Sequence, residues 1–414
     1  MQHAAGPTTD TPTQDPSARR LTGILFTGVA LSSTAYIAMA TLSSIAVDEI
    51  TGSASLAGVP GAIAVIGTAV GTSLLSVGVA RRGRRPGLIT GYVLASLGAV
   101  AGGLAVVTMS ALLLFLAMAF IGLGNAASHL ARYTAADMFP VSKRATALAW
   151  VVWGSTIGSV AGPTLLGPAG RIAESMGRTE LLGGYAIGAA GMGLAALLCF
   201  IALRPDPARV ALERPTERKI VLSEVTTAFR LPSVRAGLSA MVAGQVVMVM
   251  IMTATPLHVH HHGSDLGSVG VVMSAHTLGM FALAPLVGWM ADRIGGMRVA
   301  LLGMAVLAVS AVGAAYGPNE SVGGLVVILW LLGIGWNMTF VSGSSMLVTG
   351  LDPSIRPRVQ GTADSLTWLS SAGSALSAGF LYQAADYRTL GLIGLALLAV
   401  PLVVLVRHRP APAV

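Results

Sequence analysis

Met248-x-x-x-Met252 and His276-x-x-x-Met280 place four soft or borderline ligands in two consecutive apolar segments. On a helix, positions i and i+4 share a face, so each pair can aim both side chains at one point. Thioether and imidazole are neutral donors that suit Cu(I), whereas carboxylates suit harder cations. Methionine is also an ordinary filler of apolar cores, so the Met pair alone reads equally well as packing. The imidazole is the stronger signal, because a polar group in mid-membrane is costly and faces a cavity or a partner. Between the two pairs lie His258, His260, His261 and His262, followed by Asp265. Read as a loop, they form a candidate metal-capture site at the mouth of a hairpin. The alternative is a polar loop that needs only solvation.

Other polar residues fall inside apolar stretches: His129, Arg132 and Asp137 on one segment, then Gln245, Asn337 and Asp364 on three others. Ionisable groups at such depth are candidates for coupling or for lining a cavity. Arg132 and Asp137 are five apart, too far round a helix for the best pairing. Asp364 follows Arg358 closely and reads as a structural partner near the membrane surface. His129 is open to two readings, a proton relay or a satisfied buried imidazole. Trp336, beside Asn337, could stack on an organic solute.

The elements that must position these residues are membrane helices. Hydrophobic residues make up 54% of the 414 positions, charged residues 10%, and the mean hydropathy is +0.76, which excludes a soluble enzyme. A span needs roughly 20 apolar residues. Twelve stretches qualify, near 22–45, 55–80, 87–107, 109–136, 145–168, 181–203, 236–258, 267–291, 297–316, 321–348, 359–382 and 388–407. The expected fold is an all-α polytopic membrane protein with two six-helix bundles. Its expected parts are a tail over 1–20, a bundle over 21–203, a linker over 204–235, a second bundle over 236–407 and a tail over 408–414. By the 1.5 Å rise per residue, Met248 lies roughly 18 Å into its span and His276 and Met280 roughly 14 and 20 Å into theirs, so both pairs reach the middle of a core about 30 Å thick.

The net charge of +8 does not signal nucleic acid, because its distribution follows the loops. Of 25 Lys and Arg residues, 21 fall on one set of alternate loops, from Arg19 and Arg20 through Arg81–Arg85 to Arg407 and Arg409. The positive-inside rule puts that side, with both termini, in the cytoplasm, so a multi-pass protein of the cytoplasmic (inner) membrane is expected. Residues 1–18 are polar and Pro/Thr-rich and carry no cleavable signal pattern. Cys199 is the single cysteine, so there is neither an intrachain disulfide nor a Cys cluster for zinc.

The two halves echo each other at an offset near 212: Gly83 matches Gly295, and Gly122-Leu-Gly124 matches Gly333-Ile-Gly335. Parallel six-span repeats mark a two-bundle transporter with its site between the halves. Gly288-x-x-x-Asp292-Arg293-x-Gly295 resembles the loop motif of the major facilitator superfamily, and the likeness covers essentially the whole chain. The first-half copy departs from it, with Ala80 where the Asp is expected and Ser76 for the first Gly. Gly158-x-x-x-Gly162-Pro163 is similar to the antiporter-type motif of that family, although Gly and Pro in such a helix also serve a bend or close packing. The two ligand pairs, on the seventh and eighth spans, resemble those of the CcoA-like copper importers. That branch is also similar to riboflavin transporters. The resemblance implies alternating access with copper, or else riboflavin or another small organic solute, as cargo.

No Gly-x-x-x-x-Gly-Lys-Ser/Thr phosphate loop is present, and neither is His-Glu-x-x-His or a hydrolase triad pattern. The expectation is therefore a gradient-driven monomeric transporter with no catalytic residues and no cofactor, partnered by the lipid bilayer and by copper or an organic solute. A proton-coupled exporter is the alternative that the Gly158–Pro163 segment favours. A membrane copper sensor or assembly partner is the alternative without transport.

Overall fold

The computed structural model describes residues 16–139, 141–210, 226–348, 351 and 355–407. Among them the chain is helical with no strand. The first half runs α1 Ser17–Thr51, α2 Val59–Arg82, α3 Arg84–Val107, α4 Ala111–Asp137, α5 Val141–Thr164 and α6 Leu181–Ala202. A short helix, Leu166–Ser175, separates α5 from α6. The second half runs α7 Pro232–His261, α8 Leu266–Phe281 continued by Ala284–Ile294, α9 Gly296–Tyr316, α10 Val322–Val348, α11 Arg356–Ala384, and α12 Tyr387–Leu397 continued by Ala399–Arg407. Ten of the described helices are long and apolar enough to cross a membrane. Helices of 24 and 29 residues, α5 and α11, occupy the positions expected for the fifth and eleventh spans. The first helix starts inside the stretch expected as a tail, and residues 211–225 of the expected linker lie outside the described residues.

Helix pairs within each half approach so closely that a side chain would not fit between them. A Cβ on Gly122 of α4 would lie 2.2 Å from the Ala64 carbonyl oxygen of α2. At the matching place in the second half, a Cβ on Gly333 of α10 would lie 2.3 Å from the His276 carbonyl oxygen of α8. Gly124 repeats this against the Gly91 carbonyl of α3, and Gly335 against the Gly303 carbonyl of α9. Each contact is reproduced at the offset read from the sequence, so the repeat is one of packing as well as of composition. Small residues serve this purpose in membranes, where helices gain little by hiding apolar surface and associate through close contact instead. The turn from α2 to α3 passes through Gly83 at φ 99°, and that from α8 to α9 through Gly295 at φ 88°. Both sit in a region that a Cβ disfavours.

The Gly154, Gly158 and Gly162 stripe of α5 has a similar role. A Cβ on each would come within 2.5–2.6 Å of the Phe26, Ala30 and Thr34 carbonyl oxygens of α1. The segment that looked like an antiporter motif is thus the seam between the first and fifth helices of one bundle.

The helix ends that carry Arg19, Arg20 and Arg81–Arg85 form a basic face. At the opposite face the halves meet. Gly270 of α8 fits against the Pro163 carbonyl oxygen, and Gly58 of α2 against that of Ala375 in α11. Thr164 Oγ1 and Ser274 Oγ lie 2.9 Å apart, and Ser274 Oγ donates to the Val160 carbonyl at 3.2 Å. Deeper in, Thr277 Oγ1 donates to the Ser159 carbonyl at 3.0 Å. Gln383 of α11 accepts from the Ser55 amide at 2.8 Å. The molecule is therefore closed from its non-basic mouth down to the level of Ser159 and Thr277.

Candidate functional site

α10 lies between α7 and α8 and packs against both, whereas α7 and α8 barely touch. The two ligand pairs therefore do not face each other directly. The chain connection is a hairpin, but the packing is a three-helix layer. Gly333 of α10 meets His276 and Met280 on one flank. On the other flank Trp336 reaches Gln245, one helical turn from Met248. His276, Met280 and Met248 consequently come to one level on the two sides of α10, with Met252 a further turn along α7. Met248 is buried, and Met252 and Met280 are part-buried against the same core.

His276 is fully buried. Its Nδ1 lies 2.9 Å from the Leu329 carbonyl oxygen. A carbonyl can only accept, so Nδ1 carries the hydrogen and Nε2 presents its lone pair. That Nε2 is buried without a hydrogen-bond partner. A backbone carbonyl fixing the tautomer of an imidazole with a free second nitrogen is the arrangement used by metal-binding histidines.

α10 also carries most of an aromatic cluster that sequence reasoning saw only in part. Trp336 stacks on Phe340, with ring centroids 4.8 Å apart and planes 18° from parallel. Phe281 meets Trp336 edge-on at 6.0 Å. The Trp336 Nε1–H donates to Gln245 Oε1 at 2.7 Å, and Gln245 Nε2 donates to Ser371 Oγ of α11 at 3.1 Å. One buried amide thus ties α7, α10 and α11 together and sets the indole plane. Asn337 donates through Nδ2 to the Met280 carbonyl at 2.5 Å, while its Oδ1 is buried and unpaired. Phe340 was legible as a second aromatic one turn from Trp336. Ser371, in a run of small residues, carried no distinguishing signal.

The four histidines do not form a loop. The helix continues to His261, and the side chains take separate partners. His258 is buried, stacks on Tyr387 at 4.2 Å and places Nε2 3.0 Å from the Asn319 carbonyl. His262 Nδ1 caps the helix at the His258 carbonyl, 2.8 Å away. His260 and His261 turn instead to the first half: Nε2 of His260 is 3.4 Å from Glu49, and that of His261 is 2.8 Å from Asp48. Among the described residues no three His, Cys, Asp or Glu side chains gather at metal-binding distance. The continuing helix sends successive side chains in different directions, which disperses what a loop could have converged.

The coupling candidates also separate. Asp137 forms an ion pair with Arg84 at 2.5 Å. Asp206 accepts from the amides of Arg84 and Arg85, each at 3.1 Å. Two carboxylates from elsewhere in the chain therefore organise the basic turn whose own motif has alanine at position 80. Asp137 belongs to that turn, not to a relay with His129, which is half-buried farther up α4. Arg132 lies with its guanidinium over the Tyr133 ring, and its Nε is buried and unpaired. Across the gap between the halves it acts electrostatically on Asp364, an exposed carboxylate of α11, without a direct ion pair. Asp292 and Arg293 are both exposed, with Arg293 over the Trp289 ring.

The Major Facilitator Superfamily model matches residues 24–267 and 237–414. The chain belongs to that superfamily and is a transporter, not an enzyme. It is 36% identical over 378 residues to the uncharacterized MFS-type transporter YdeG of Bacillus subtilis (strain 168), covering 89% of this chain and 87% of that one. It is 26% identical to the riboflavin transporter RfnT of Brucella anthropi over 97% of this chain and 99% of that one. Among solved structures, the nucleoside transporter NupG matches with a TM-score of 0.70 at 15% identity, covering 95% and 98%. A bacterial homolog of the human lysosomal transporter Spinster matches with a TM-score of 0.69, also at 15% identity, covering 97% and 100%. At such identities the two structures speak for the fold alone.

Proposed function

We propose that this transporter carries a small planar aromatic organic solute, of the riboflavin type, by alternating access between the two bundles. The observation that carries this reading is the Phe281, Trp336 and Phe340 cluster with its indole anchored on Gln245. Stacking on an aromatic face held by a buried hydrogen bond suits a flat conjugated ring, whereas a bare cation gains little from three ring faces with no cage geometry. The 26% identity to a riboflavin transporter along the full chain supports the same class. With the basic face cytoplasmic, the state described above is open inward, and import follows if the solute enters when the mouth opens. Arg132 acts electrostatically on Asp364 of the other half, and the two are the groups best placed to sense a coupling ion.

Copper import is the second reading, favoured by the unpaired Nε2 of His276 at the depth of Met248 and Met280. Uptake into proteoliposomes separates the two. Riboflavin and Cu(I) are offered in parallel to the parent, to Trp336→Ala, and to Met252→Leu combined with His276→Ala. The organic-solute reading expects riboflavin accumulation that Trp336→Ala abolishes and the double variant lowers only modestly. Accumulation of copper alone, lost in the double variant, would put the copper reading in its place. Linear uptake with time, in either case, distinguishes a transporter from a membrane sensor that only binds.

A further inference from the structure

At the closed mouth, two consecutive acidic residues at the end of α1 face two consecutive imidazoles at the end of α7. His261 Nε2 lies 2.8 Å from Asp48 and His260 Nε2 lies 3.4 Å from Glu49, and each pair joins one bundle to the other. Three of the four side chains are about one-third exposed, so protons from that face reach them. The Nδ1 of His260, opposite the nitrogen that meets Glu49, is buried and has no partner. Glu180, at the start of α6, acts electrostatically on the same imidazole. Burial pushes the Glu180 carboxyl up from its ordinary value.

The remaining ionisable groups on the surrounding elements are predominantly acidic. Glu174 and Arg171 come from the short helix before α6, and Asp265 from the start of α8. Tyr382 comes from α11, and His258 and His262 belong to α7 itself but are engaged within the second half. Hydrogen bonds to the Ser268 hydroxyl and amide hold Asp265 below the usual carboxylate range, so it is charged. Asp48, Glu49 and Glu180 thus act on His260 directly and Asp48 meets His261, while Glu174 and Asp265 act on Glu180 behind them.

We propose that His260 and His261, with Asp48, Glu49 and Glu180, form a proton-binding site that links closure of the mouth to acidity at the non-basic face. Two full ion pairs exist across the halves only when both rings carry a second proton. Opening the mouth separates the rings from the carboxylates and removes what favoured that proton. By linkage, the closed state therefore binds protons more tightly than the open one. Lower pH closes the mouth: the preference is full below the ordinary imidazole value near 6.5 and is lost as the pH rises through the value of His260, which its bond to Glu49 holds above that. The site sets how often the transporter resets and does not depend on what it carries.

The test measures the mouth itself. Spin labels go on Met176→Cys and Ser321→Cys, one on each half at the non-basic face, in a Cys199→Ser background of the full chain in lipid nanodiscs. Distances are recorded from pH 5.5 to 8.5. Two partly exposed pairs should shift the closed-to-open ratio about threefold to tenfold over that range. His260→Gln with His261→Gln should flatten the response while retaining both distance populations. Asp48→Asn with Glu49→Gln should flatten it equally, which provides an independent variant should the first fail to fold. A parent insensitive to pH would overturn the proposal. So would a pH response that survives in either folded double variant.

Discussion

Replacing Gln245 by Leu tests whether the aromatic cluster is a binding surface or merely packed core. The amide is buried and makes two hydrogen bonds, to Trp336 Nε1 at 2.7 Å and to Ser371 Oγ at 3.1 Å. Leucine has nearly the same volume, so the change deletes polarity with little cavity. Ser371 can turn its hydroxyl to a carbonyl of its own helix, but the indole N–H has no such recourse and stays buried and unpaired. That costs about 1–3 kcal/mol of stability. The cost sits at the lower end if the loss resembles the ~0.6 kcal/mol average for hydrogen bonds between membrane helices. A stacked aromatic pair contributes about 0.5–1.5 kcal/mol beyond its buried area. Losing the orientation of Trp336 should then weaken binding of a flat solute about two- to tenfold. Riboflavin quenching measured on the purified protein gives Kd, and thermal melting gives stability. Trp336→Phe removes the N–H but keeps a ring, so combining it with Gln245→Leu should restore stability while recovering part of the affinity. A Gln245→Leu protein that melts early yet binds with the parental Kd would refute the argument, since the amide would then support the bundle and not the site.

Three further outcomes follow from the geometry. Gly158→Val should lower the melting temperature sharply, because its Cβ would lie 2.5 Å from the Ala30 carbonyl and overpacking costs about 1–3 kcal/mol; a parental melting curve would show that the α1–α5 seam is looser than described. Asp137→Asn and Arg84→Gln should each change stability by less than about 1 kcal/mol, given a partly exposed pair. Neither should alter accumulation against a gradient; selective loss of accumulation with intact exchange would return Asp137 to a coupling role. In a Cys199→Ser background, an impermeant thiol reagent should label Ser264→Cys from outside intact cells and leave Arg209→Cys untouched, and the reverse pattern would overturn the orientation.

The helices were legible because they rest on local signals. Runs of apolar residues and the charged breaks between them reappear as helices and turns, ten of the described helices being long and apolar enough to cross a membrane, and the 212-residue echo reappears as matched glycine contacts at Gly122 and Gly333. The site was legible only as a set of depths. His276, Met280, Trp336 and Met248 come to one level, but that α10 separates them depends on the order in which helices pack, which no spacing along a single segment encodes. Reading His258–His262 as a loop failed for a related reason. A tract of imidazoles looks like a solvated turn, yet helix α7 continues through Pro256 to His261, and each ring then takes the partner its direction allows. Asp206 was passed over because its role, supplying a carboxylate to Arg84 and Arg85, is defined by a neighbour more than a hundred residues away.

The kinds of contact within and between bundles explain why the moving parts are the hardest to read. Inside a half, backbone lies on backbone at Gly122, Gly124, Gly158 and Gly335, and nothing there can be exchanged for water or lipid without opening a void. Between the halves the contacts include hydroxyls, an amide and imidazoles: Thr277 on Ser159, Ser274 on Thr164, Gln383 on Ser55, and His261 on Asp48. Each of those groups can bond to water once the mouth opens, so separating them leaves no polar group unsatisfied. Glycines at 58, 167, 270 and 379 let the halves approach closely without a side chain that must withdraw first. Two stiff bundles joined by replaceable polar contacts have two discrete arrangements with few stable positions between them, which is what alternating access requires.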